Sequence, residues 1–215
     1  MGRGVAFGFW FNAGLHSTAT ISVNGDGTIN LVEGSPDIGG SRASISMQAA
    51  EVLGISAEDV KPKVADTDSI GFSFGTGGSR TTFATGWAAY EAANDVKAQL
   101  IDRAATIWGV DPDSVEMEEG VLRSKTDTEL NMTFKDLSAQ LNDTGGPIIG
   151  RGSVNPAGVG GAFAANIVDT EIDPETGKVL SLIHISETTR PRLISYSVCC
   201  LKKEAGGAWG GGGGG

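Results

Sequence analysis

The residues best suited to chemistry are two copies of one tetrapeptide. Gly39-Gly-Ser-Arg42 and Gly77-Gly-Ser-Arg80 each precede a helical pattern, and we call them the first and second glycine segments. Glycines leave the backbone accessible to a ligand, and the start of a helix presents free N–H groups and the positive end of the helix dipole. Each segment also carries an arginine that can pair with an anion. The pattern therefore suits one large anionic ligand, such as a phosphate-bearing cofactor, bound from two sides.

Neither glycine segment matches a common nucleotide-binding motif. A P-loop has Lys-Ser or Lys-Thr after its glycines and a dinucleotide fold has G-x-G-x-x-G, and neither pattern is present at these segments. Glycine loops are also common before helices, so a plain capping turn with Ser79 as the N-cap is the alternative to an anion site. The segments alone leave both interpretations open.

Periodic patterns predict the elements that carry the glycine segments. Apolar residues at helical spacing predict helices over 45–53 and 81–108, and Gly54 is expected to end the first. Hairpins are predicted around Asn24-Gly-Asp-Gly27, around Glu119-Gly120 and around Asp173-Pro-Glu-Thr-Gly177, whose second strand is expected to stop at Leu180. Shorter predicted elements are an edge strand at 60–65, a helix at 134–141 introduced by Thr133, and a strand at 148–154. Segregated hairpins and helices indicate an α+β fold with mixed or antiparallel strands, one long helix and shorter helices.

Other chemistry-bearing residues have simpler interpretations. The aromatic stretch Val5–Phe11 predicts a buried strand or a pocket wall, and burial in the core is the simpler of the two. His16 has no second histidine near it, so a structural role is favoured over metal ligation. Asp66 and Asp68 could ligate a metal or transfer protons, but they lie among turn formers and are expected to cap a turn. No metal site is predicted.

The overall composition excludes several classes of function. The 215 residues carry a net charge of −10, which argues against nucleic acid as a partner. No apolar run reaches the roughly 18–20 residues of a membrane span, and no signal peptide is evident. We therefore expect a cytoplasmic protein, with the periplasm as the alternative.

Residues 181–215 differ in composition from the rest of the chain. They hold four of the 16 basic and two of the 26 acidic residues, so residues 1–180 carry a net charge of −12 and the tail +2. Both cysteines, Cys199 and Cys200, lie in this tail, which ends in a glycine run from Gly210 to Gly215. The segment resembles a translated sequencing-adaptor oligonucleotide. We predict that 181–215 is a non-native, disordered tail from which no function should be inferred.

A series of short motifs runs through residues 1–180, in this order: Asp26-Gly27, Pro36-Asp-Ile-Gly39, Gln48-Ala-Ala-Glu-Val-Leu-Gly54, Asp66-Thr67, Gly77-Gly-Ser79, Gly86-x-Ala88 and Glu171-Ile-Asp-Pro-Glu-Thr-Gly-Lys-Val179. Each motif is weak alone. The ordered set resembles the second molybdopterin-binding domain in the large subunit of the xanthine dehydrogenase/aldehyde oxidase family.

This resemblance implies a molybdenum hydroxylase. Its cofactor would be a molybdenum-pyranopterin, as molybdopterin or its dinucleotide form, and it would insert a water-derived oxygen into an aldehyde or N-heterocycle. The resemblance also implies a glutamate base, and 2Fe-2S and FAD groups on partner domains or subunits. The family places that glutamate beyond the strand ending at Leu180 and the first half of the site before Met1. We therefore expect residues 1–180 to be a partial molybdopterin-binding domain that is inactive alone.

The resemblance assigns cofactor contacts to both glycine segments. The family often has Gly-Gln-Gly where this chain has Gly39-Gly-Ser41, so Ser41 or Arg42 is expected to replace the hydrogen bonds of the glutamine. Phe7 falls where the family places an aromatic residue against flat substrates. The expected cofactor-binding residues are Gly39, Gly40, Ser41, Arg42, Gly77, Gly78, Ser79, Arg80, Thr81 and Thr82. The alternative is a non-catalytic module that binds a phosphorylated ligand or a protein partner through the same loops.

Overall fold

The computed structural model describes residues 2–66, 68–158 and 160–184. Within these, residues 2–11 and 160–184 form one compact unit, and residues 12–158 form the other. Most of the predicted tail, from residue 185 on, lies outside the described residues, so its non-native origin stays a prediction.

The elements follow the predicted α+β pattern. In chain order they are strands β1 (Gly2–Phe11), β2 (Ser17–Val23) and β3 (Ile29–Glu33), helix α1 (Ser41–Leu53), strand β4 (Val60–Lys63), a π turn (Thr81–Thr85), helix α2 (Gly86–Trp108), strands β5 (Val115–Glu118), β6 (Val121–Ser124) and β7 (Asn131–Thr133), helix α3 (Phe134–Ala139), and strands β8 (Ile149–Val154), β9 (Gly161–Ile172) and β10 (Val179–His184).

The first unit is an antiparallel sheet in the order β1-β9-β10. The predicted turn between β9 and β10 is confirmed, because Asp173 Oδ1 accepts from Glu175 N at 2.9 Å and Oδ2 accepts from the Thr176 hydroxyl at 2.6 Å. The prediction that the second strand stops at Leu180 is wrong, since β10 continues to His184 along β9. The expected burial of Val5–Phe11 is also wrong. These residues form a strand, but all of β1 is exposed.

The second unit is built on a four-stranded sheet in the order β4-β3-β2-β8. The predicted hairpin around Asn24–Gly27 joins β2 to β3, and β4 runs parallel to β3 at the edge, as the proline at position 62 suggested. Side chains alternate along β2 and β3, so that every second residue faces the core. The helices cover this core face.

Helix α2 packs against the sheet through small residues. A Cβ at Gly150 would overlap Ala92 O, and a Cβ at Gly152 would overlap Ala88 O, so β8 and α2 meet backbone to backbone. Both alanines are fully buried. The helix predicted over 81–108 is confirmed, with its first five residues wound as the π turn. This close contact fixes the start of α2, which follows the second glycine segment.

The remaining elements form a smaller layer. Strands β5, β6 and β7 pair in that order, and the predicted hairpin at Glu119-Gly120 is confirmed. Thr133 caps α3, because its hydroxyl oxygen accepts from Asp136 N at 3.1 Å. Within residues 2–66, 68–158 and 160–184, no helix is both long and apolar enough to cross a bilayer.

Candidate functional site

The first glycine segment forms the start of α1. Gly39 and Gly40 have φ values of 56° and 88°, a left-handed conformation that favours glycine, and Gly40 is the N-cap. Asp37 Oδ1 accepts from Arg42 N at 3.0 Å, and its Oδ2 lies 3.2 Å from the Arg42 guanidinium. The expected cofactor-binding arginine of this segment thus has a carboxylate partner.

The second glycine segment enters its helix in a different way. Ser79 has a φ of 55°, and the π turn that begins at Thr81 separates it from α2. The interpretation of Ser79 as an N-cap is therefore wrong, because a left-handed residue two positions before the π turn does not have N-cap geometry. Gly78 is left-handed as well, at 69°, and a Cβ there would lie 2.8 Å from the Cβ of Ala13. Gly78 O also accepts from Ala13 N at 2.9 Å.

Both segments contribute to one cavity of about 300 Å³, which we call the loop cavity. Six of the expected cofactor-binding residues line it. Ser41 comes from the first segment, and the other five come from the second segment and the π turn; they are Gly77, Ser79, Arg80, Thr81 and Thr82. The lining residues are Asn12, Ile38, Ser41, Gln48, Thr76, Gly77, Ser79, Arg80, Thr81, Thr82 and Phe83. The fold thus brings together two stretches that lie almost forty residues apart in sequence.

Four expected cofactor-binding residues do not line the loop cavity. They are Gly39, Gly40, Arg42 and Gly78. The glycines among them shape the backbone of the two segments, and Arg42 turns towards Asp37. Their direct contact with a cofactor stays a prediction.

Sequence reasoning missed five lining residues. Gln48 lies seven positions after Ser41 on α1, so helical spacing could have placed both side chains on one face. Its side chain donates to Thr82 O at 3.3 Å and so bridges α1 to the π turn. Asn12 follows the aromatic strand without any distinguishing pattern, and no sequence signal pointed to it.

Arg80 is the charged side chain that lines the loop cavity, and its guanidinium is almost fully engaged by the protein. Its Nε donates to Gly14 O at 2.7 Å, Nη1 to Phe74 O at 2.8 Å, and Nη2 to His16 O at 2.6 Å and to the Ser17 hydroxyl. The side chain is 1% exposed, and burial lowers the pKa of its guanidinium. Arg80 therefore holds three backbone carbonyl groups around the second glycine segment while its positive charge stays beside the cavity.

The other candidate residues lie elsewhere. Phe7 is on β1 in the first unit and is 84% exposed. Asp66 caps a turn as predicted, since its Oδ1 accepts from Asp68 N and Ser69 N, each at 3.1 Å. His16 stacks edge-on against Phe72 at 6.2 Å between ring centroids. Among the residues that the structure describes, no group of three or more His, Cys, Asp or Glu could hold a metal ion.

A comparison with protein families identifies the kind of domain that contains this cavity. The family model described as the molybdopterin cofactor-binding domain matches residues 1–184. The chain belongs to this family. The resemblance seen in the ordered motifs is thereby confirmed.

The curated relatives of this chain are longer proteins, and the chain matches only a part of each. The aldehyde oxidoreductase molybdenum-binding subunit PaoC of Escherichia coli (strain K12) is 28% identical over 183 residues, which cover 83% of this chain and 24% of that protein. The protein named "Probable hypoxanthine oxidase XdhD" of the same strain is 29% identical over 188 residues, covering 83% of this chain and 19% of that protein. The chain thus spans about a fifth to a quarter of the length of these relatives.

Solved structures have the same fold as the molybdopterin-binding domain. A Cu,Mo-CO dehydrogenase in its carbon monoxide reduced state matches with a TM-score of 0.73 and 23% identity, over 85% of this chain and 25% of that one. Quinoline 2-oxidoreductase from Pseudomonas putida 86 matches with a TM-score of 0.69 and 18% identity, over 85% of this chain and 26% of that one. At these identities the likeness establishes the α+β fold.

The loop cavity of this molybdopterin-binding domain has features that fit an anionic cofactor. No backbone hydrogen bond between described residues uses the N–H group of Gly77, which lines the cavity. A Cβ at Gly77 would meet nothing within 4 Å, so the backbone there is open to a ligand. No carboxylate is among the described residues that line the cavity, and Arg80 supplies a positive charge. Free N–H donors, an open backbone and positive charge are the groups that bind phosphate.

Proposed function

We propose that this chain supplies one side of the molybdenum-cofactor site in a molybdenum-dependent oxidoreductase. The observation that carries the proposal is the loop cavity, to which both copies of the glycine tetrapeptide contribute. Ser41, Gly77, Ser79, Thr81 and Thr82 would hold the pyranopterin and its phosphate through hydroxyl and backbone N–H groups. Arg80 would contribute mainly by fixing the backbone and by its charge, because four of its five N–H groups are already used within the protein.

The proposed activity is the hydroxylation of an aldehyde or an N-heterocycle. When bound, the molybdenum-pyranopterin supplies a two-electron oxidation. A C–H bond of the substrate is replaced by a C–O bond whose oxygen comes from water, and two protons and two electrons are released. The electrons pass to 2Fe-2S and FAD groups on partner domains or subunits. Several relatives are named as subunits of larger enzymes, which supports such partners.

Two further assignments belong to the same proposal. Phe7 would contact flat substrates, and a glutamate outside residues 1–180 would be the catalytic base. We place the assembled enzyme in the cytoplasm, with the periplasm as the alternative.

The proposal is tested by filling the loop cavity without disturbing the fold. Gly77→Ala adds a methyl group to the cavity lining at a position where nothing lies within 4 Å of the new carbon. The variant is made in the longer protein recovered by extending the source gene. We expect unchanged folding and a loss of bound molybdenum and pterin by about tenfold, or ~1.4 kcal/mol of binding.

Gly75→Ala is the matched control, because Gly75 is in the same loop and has the same open surroundings but does not line the cavity. It should keep the wild-type content of molybdenum and pterin. Full cofactor content in Gly77→Ala, measured by metal analysis and by pterin fluorescence, would contradict the proposal.

A further inference from the structure

Five of the polar side chains buried in the core of the second unit lie close to one another. Each is at most 1% exposed; they are Ser17, Glu33, Ser35, Arg80 and Thr85. Strand alternation explains why two of them are buried, because Ser17 shares the core face of β2 with Ala19, and Glu33 shares that of β3 with Leu31. Buried polar groups persist only where they are hydrogen-bonded, so their connections are informative.

The guanidinium and the three hydroxyl groups form one series of hydrogen bonds, which we call the hydroxyl chain, and the main-chain N–H of Ser35 connects it to Glu33. Arg80 Nη2 donates to the Ser17 hydroxyl, which lies 3.0 Å from Thr85 Oγ1. Thr85 Oγ1 is in turn 2.8 Å from Ser35 Oγ. Ser35 N donates to Glu33 Oε2 at 2.5 Å. The series runs from the lining of the loop cavity to a carboxyl group at the end of β3.

The chemistry of its two ends gives the hydroxyl chain a direction. A guanidinium can only donate hydrogen bonds, and an ionised carboxylate can only accept them. Ser17 accepts from Arg80, so its own O–H is available to Thr85, and Thr85 can then donate to Ser35. The Ser35 hydroxyl also stabilises the charged carboxylate of Glu33. The Ser17 and Thr85 hydroxyls can then donate in the same sense, towards Ser35 and the carboxylate, an arrangement in which each bond polarises the next.

Glu33 is poorly satisfied as an anion. Its second oxygen, Oε1, is buried and finds no partner in the part of the chain that the structure describes. Burial raises the pKa of Glu33 to about 7, and the nearby negative charge of Asp37 adds to this. A buried carboxylate with one unpartnered oxygen gains a proton more readily than one whose oxygens both accept hydrogen bonds.

The charged groups on the surrounding elements are few. Asp37 lies on the following loop and is paired with Arg42. Asp66 donates its backbone N–H to Glu33 O, and β4 ends with Lys63. Strand β2 has no ionisable side chain, and Arg80, the residue before the π turn, is connected to Glu33 through the hydroxyl chain.

We propose that Glu33 is a positioning residue for the second glycine segment and acts on Arg80 through the hydroxyl chain. Ionised Glu33 offsets part of the positive charge of Arg80 and tightens its hold on the hydroxyls. Protonated Glu33 leaves that charge to the loop cavity, where an anion then binds more strongly. The consequence for binding rests on the proposed function, whereas the coupling itself does not.

The coupling is tested without any ligand by NMR of the complete 215-residue chain. We expect the Arg80 Nε–H resonance to shift between pH 5 and 9 in the wild type. The shift should be absent in Glu33→Gln and reduced by half or more in Thr85→Val, which removes a hydroxyl at nearly constant shape. Thr85→Ser keeps the hydroxyl and should keep the shift.

His16→Asn is a further control. It replaces the side chain of a residue next to Arg80 but keeps the main-chain carbonyl that accepts from Arg80. The Arg80 resonance should respond to pH in this variant as it does in the wild type. An Arg80 resonance that does not respond to pH, or responds equally in Glu33→Gln or Thr85→Val, would overturn the proposal.

The consequence for binding is tested with sulfate, whose charge is constant over this pH range. In the wild type, we expect sulfate to bind about three- to tenfold more tightly at pH 6 than at pH 8. In Glu33→Gln, the sulfate affinities at the two pH values should differ by no more than about twofold. Sulfate binding that is independent of pH would leave the anion site standing and refute the effect of Glu33 on it. If sulfate does not bind at either pH, both the anion site and the effect of Glu33 on it fail, while the NMR result still decides the coupling.

Discussion

Arg80 is part of a tetrapeptide that suits anion binding, yet the fold directs its guanidinium to backbone carbonyl groups. Gly14, His16 and Phe74 come from two separate stretches, and the one side chain joins them. Arg42 occupies the same place in the other tetrapeptide but is half exposed and pairs with Asp37. Two identical short sequences therefore have different roles, because one lies in the core and the other at the surface.

This contrast predicts unequal costs for the same substitution. Arg80→Met leaves three carbonyl groups without donors and should lower the free energy of unfolding by about 2–4 kcal/mol. Arg42→Met removes only an exposed ion pair and should cost at most ~1 kcal/mol. Urea unfolding of the full chain measures both. Equal losses would contradict the structural role assigned to Arg80.

Glu33 predicts an unusual dependence of stability on pH. Because burial raises its pKa from 4.5 to about 7, the folded state binds a proton that the unfolded state has released. Its contribution to stability is therefore complete below about pH 4.5 and is lost as the pH rises to about 7. The loss amounts to roughly 3 kcal/mol.

Glu33→Gln mimics the protonated carboxyl group and should remove this loss. Urea unfolding between pH 4 and 8 should give a flatter profile than in the wild type, with a gain in stability at pH 8. Glu129→Gln changes an exposed carboxyl group and should keep the wild-type profile. A Glu33→Gln variant that is less stable than the wild type at pH 8 would contradict this prediction.

At the scale of elements, the contact between α2 and β8 determines where the second glycine segment lies. Gly152→Ala would place a methyl group against Ala88 O and force the helix away from the sheet. We expect a loss of about 1–3 kcal/mol in the free energy of unfolding, with weaker anion binding in the loop cavity.

Gly4→Ala is the matched control for this contact. Gly4 also lies in a strand, but nothing is within 4 Å of its added Cβ, so its substitution should change stability little. A Gly152→Ala variant as stable as Gly4→Ala would show that α2 can move without cost.

The elements were predictable where the signal is local. Gly54 and Asn24–Gly27 marked a helix end and a hairpin because these conformations need particular residues within a few positions. The π turn before α2 was not predicted, since nothing in Thr81–Thr85 distinguishes it from an ordinary first helical turn.

Sites assembled from distant residues were predictable only in part. The repeated tetrapeptide indicated the loop cavity. The helical spacing of Ser41 and Gln48 could have added Gln48 to the predicted lining residues. The hydroxyl chain could not be predicted, because serines and threonines are common and only the strand pairing brings Ser17 and Thr85 within reach of one another. The burial of β1 was predicted wrongly, since apolar composition indicates a need for burial but not what supplies it.

For the whole molecule, the prominent feature is an apolar surface on the first unit. In the register of β1 and β9, alternate residues share one face, which we call the aromatic face. Its members are Val5, Phe7, Phe9, Phe11, Phe163 and Ile167, and each is 49% exposed or more. Apolar patches of this kind are rare on monomeric proteins.

We therefore expect the 215-residue chain to self-associate in solution through the aromatic face. The double variant Phe7→Ser, Phe163→Ser should sediment as a smaller species, whereas Phe74→Ser, on the second unit, should not change the distribution. Sedimentation velocity separates the two results. A wild-type chain that remains monomeric at high concentration would refute this prediction.

The glycine and alanine contact between β8 and α2 has one more consequence. Neither residue type has side-chain torsions, so these glycine and alanine positions lose no rotamer entropy on folding and have no alternative rotamers to occupy on heating. Gaps cannot open or close there by rotamer exchange, as they do between longer side chains. The start of α2 should therefore keep its distance from the sheet up to the unfolding transition, and the second glycine segment should keep its shape with it.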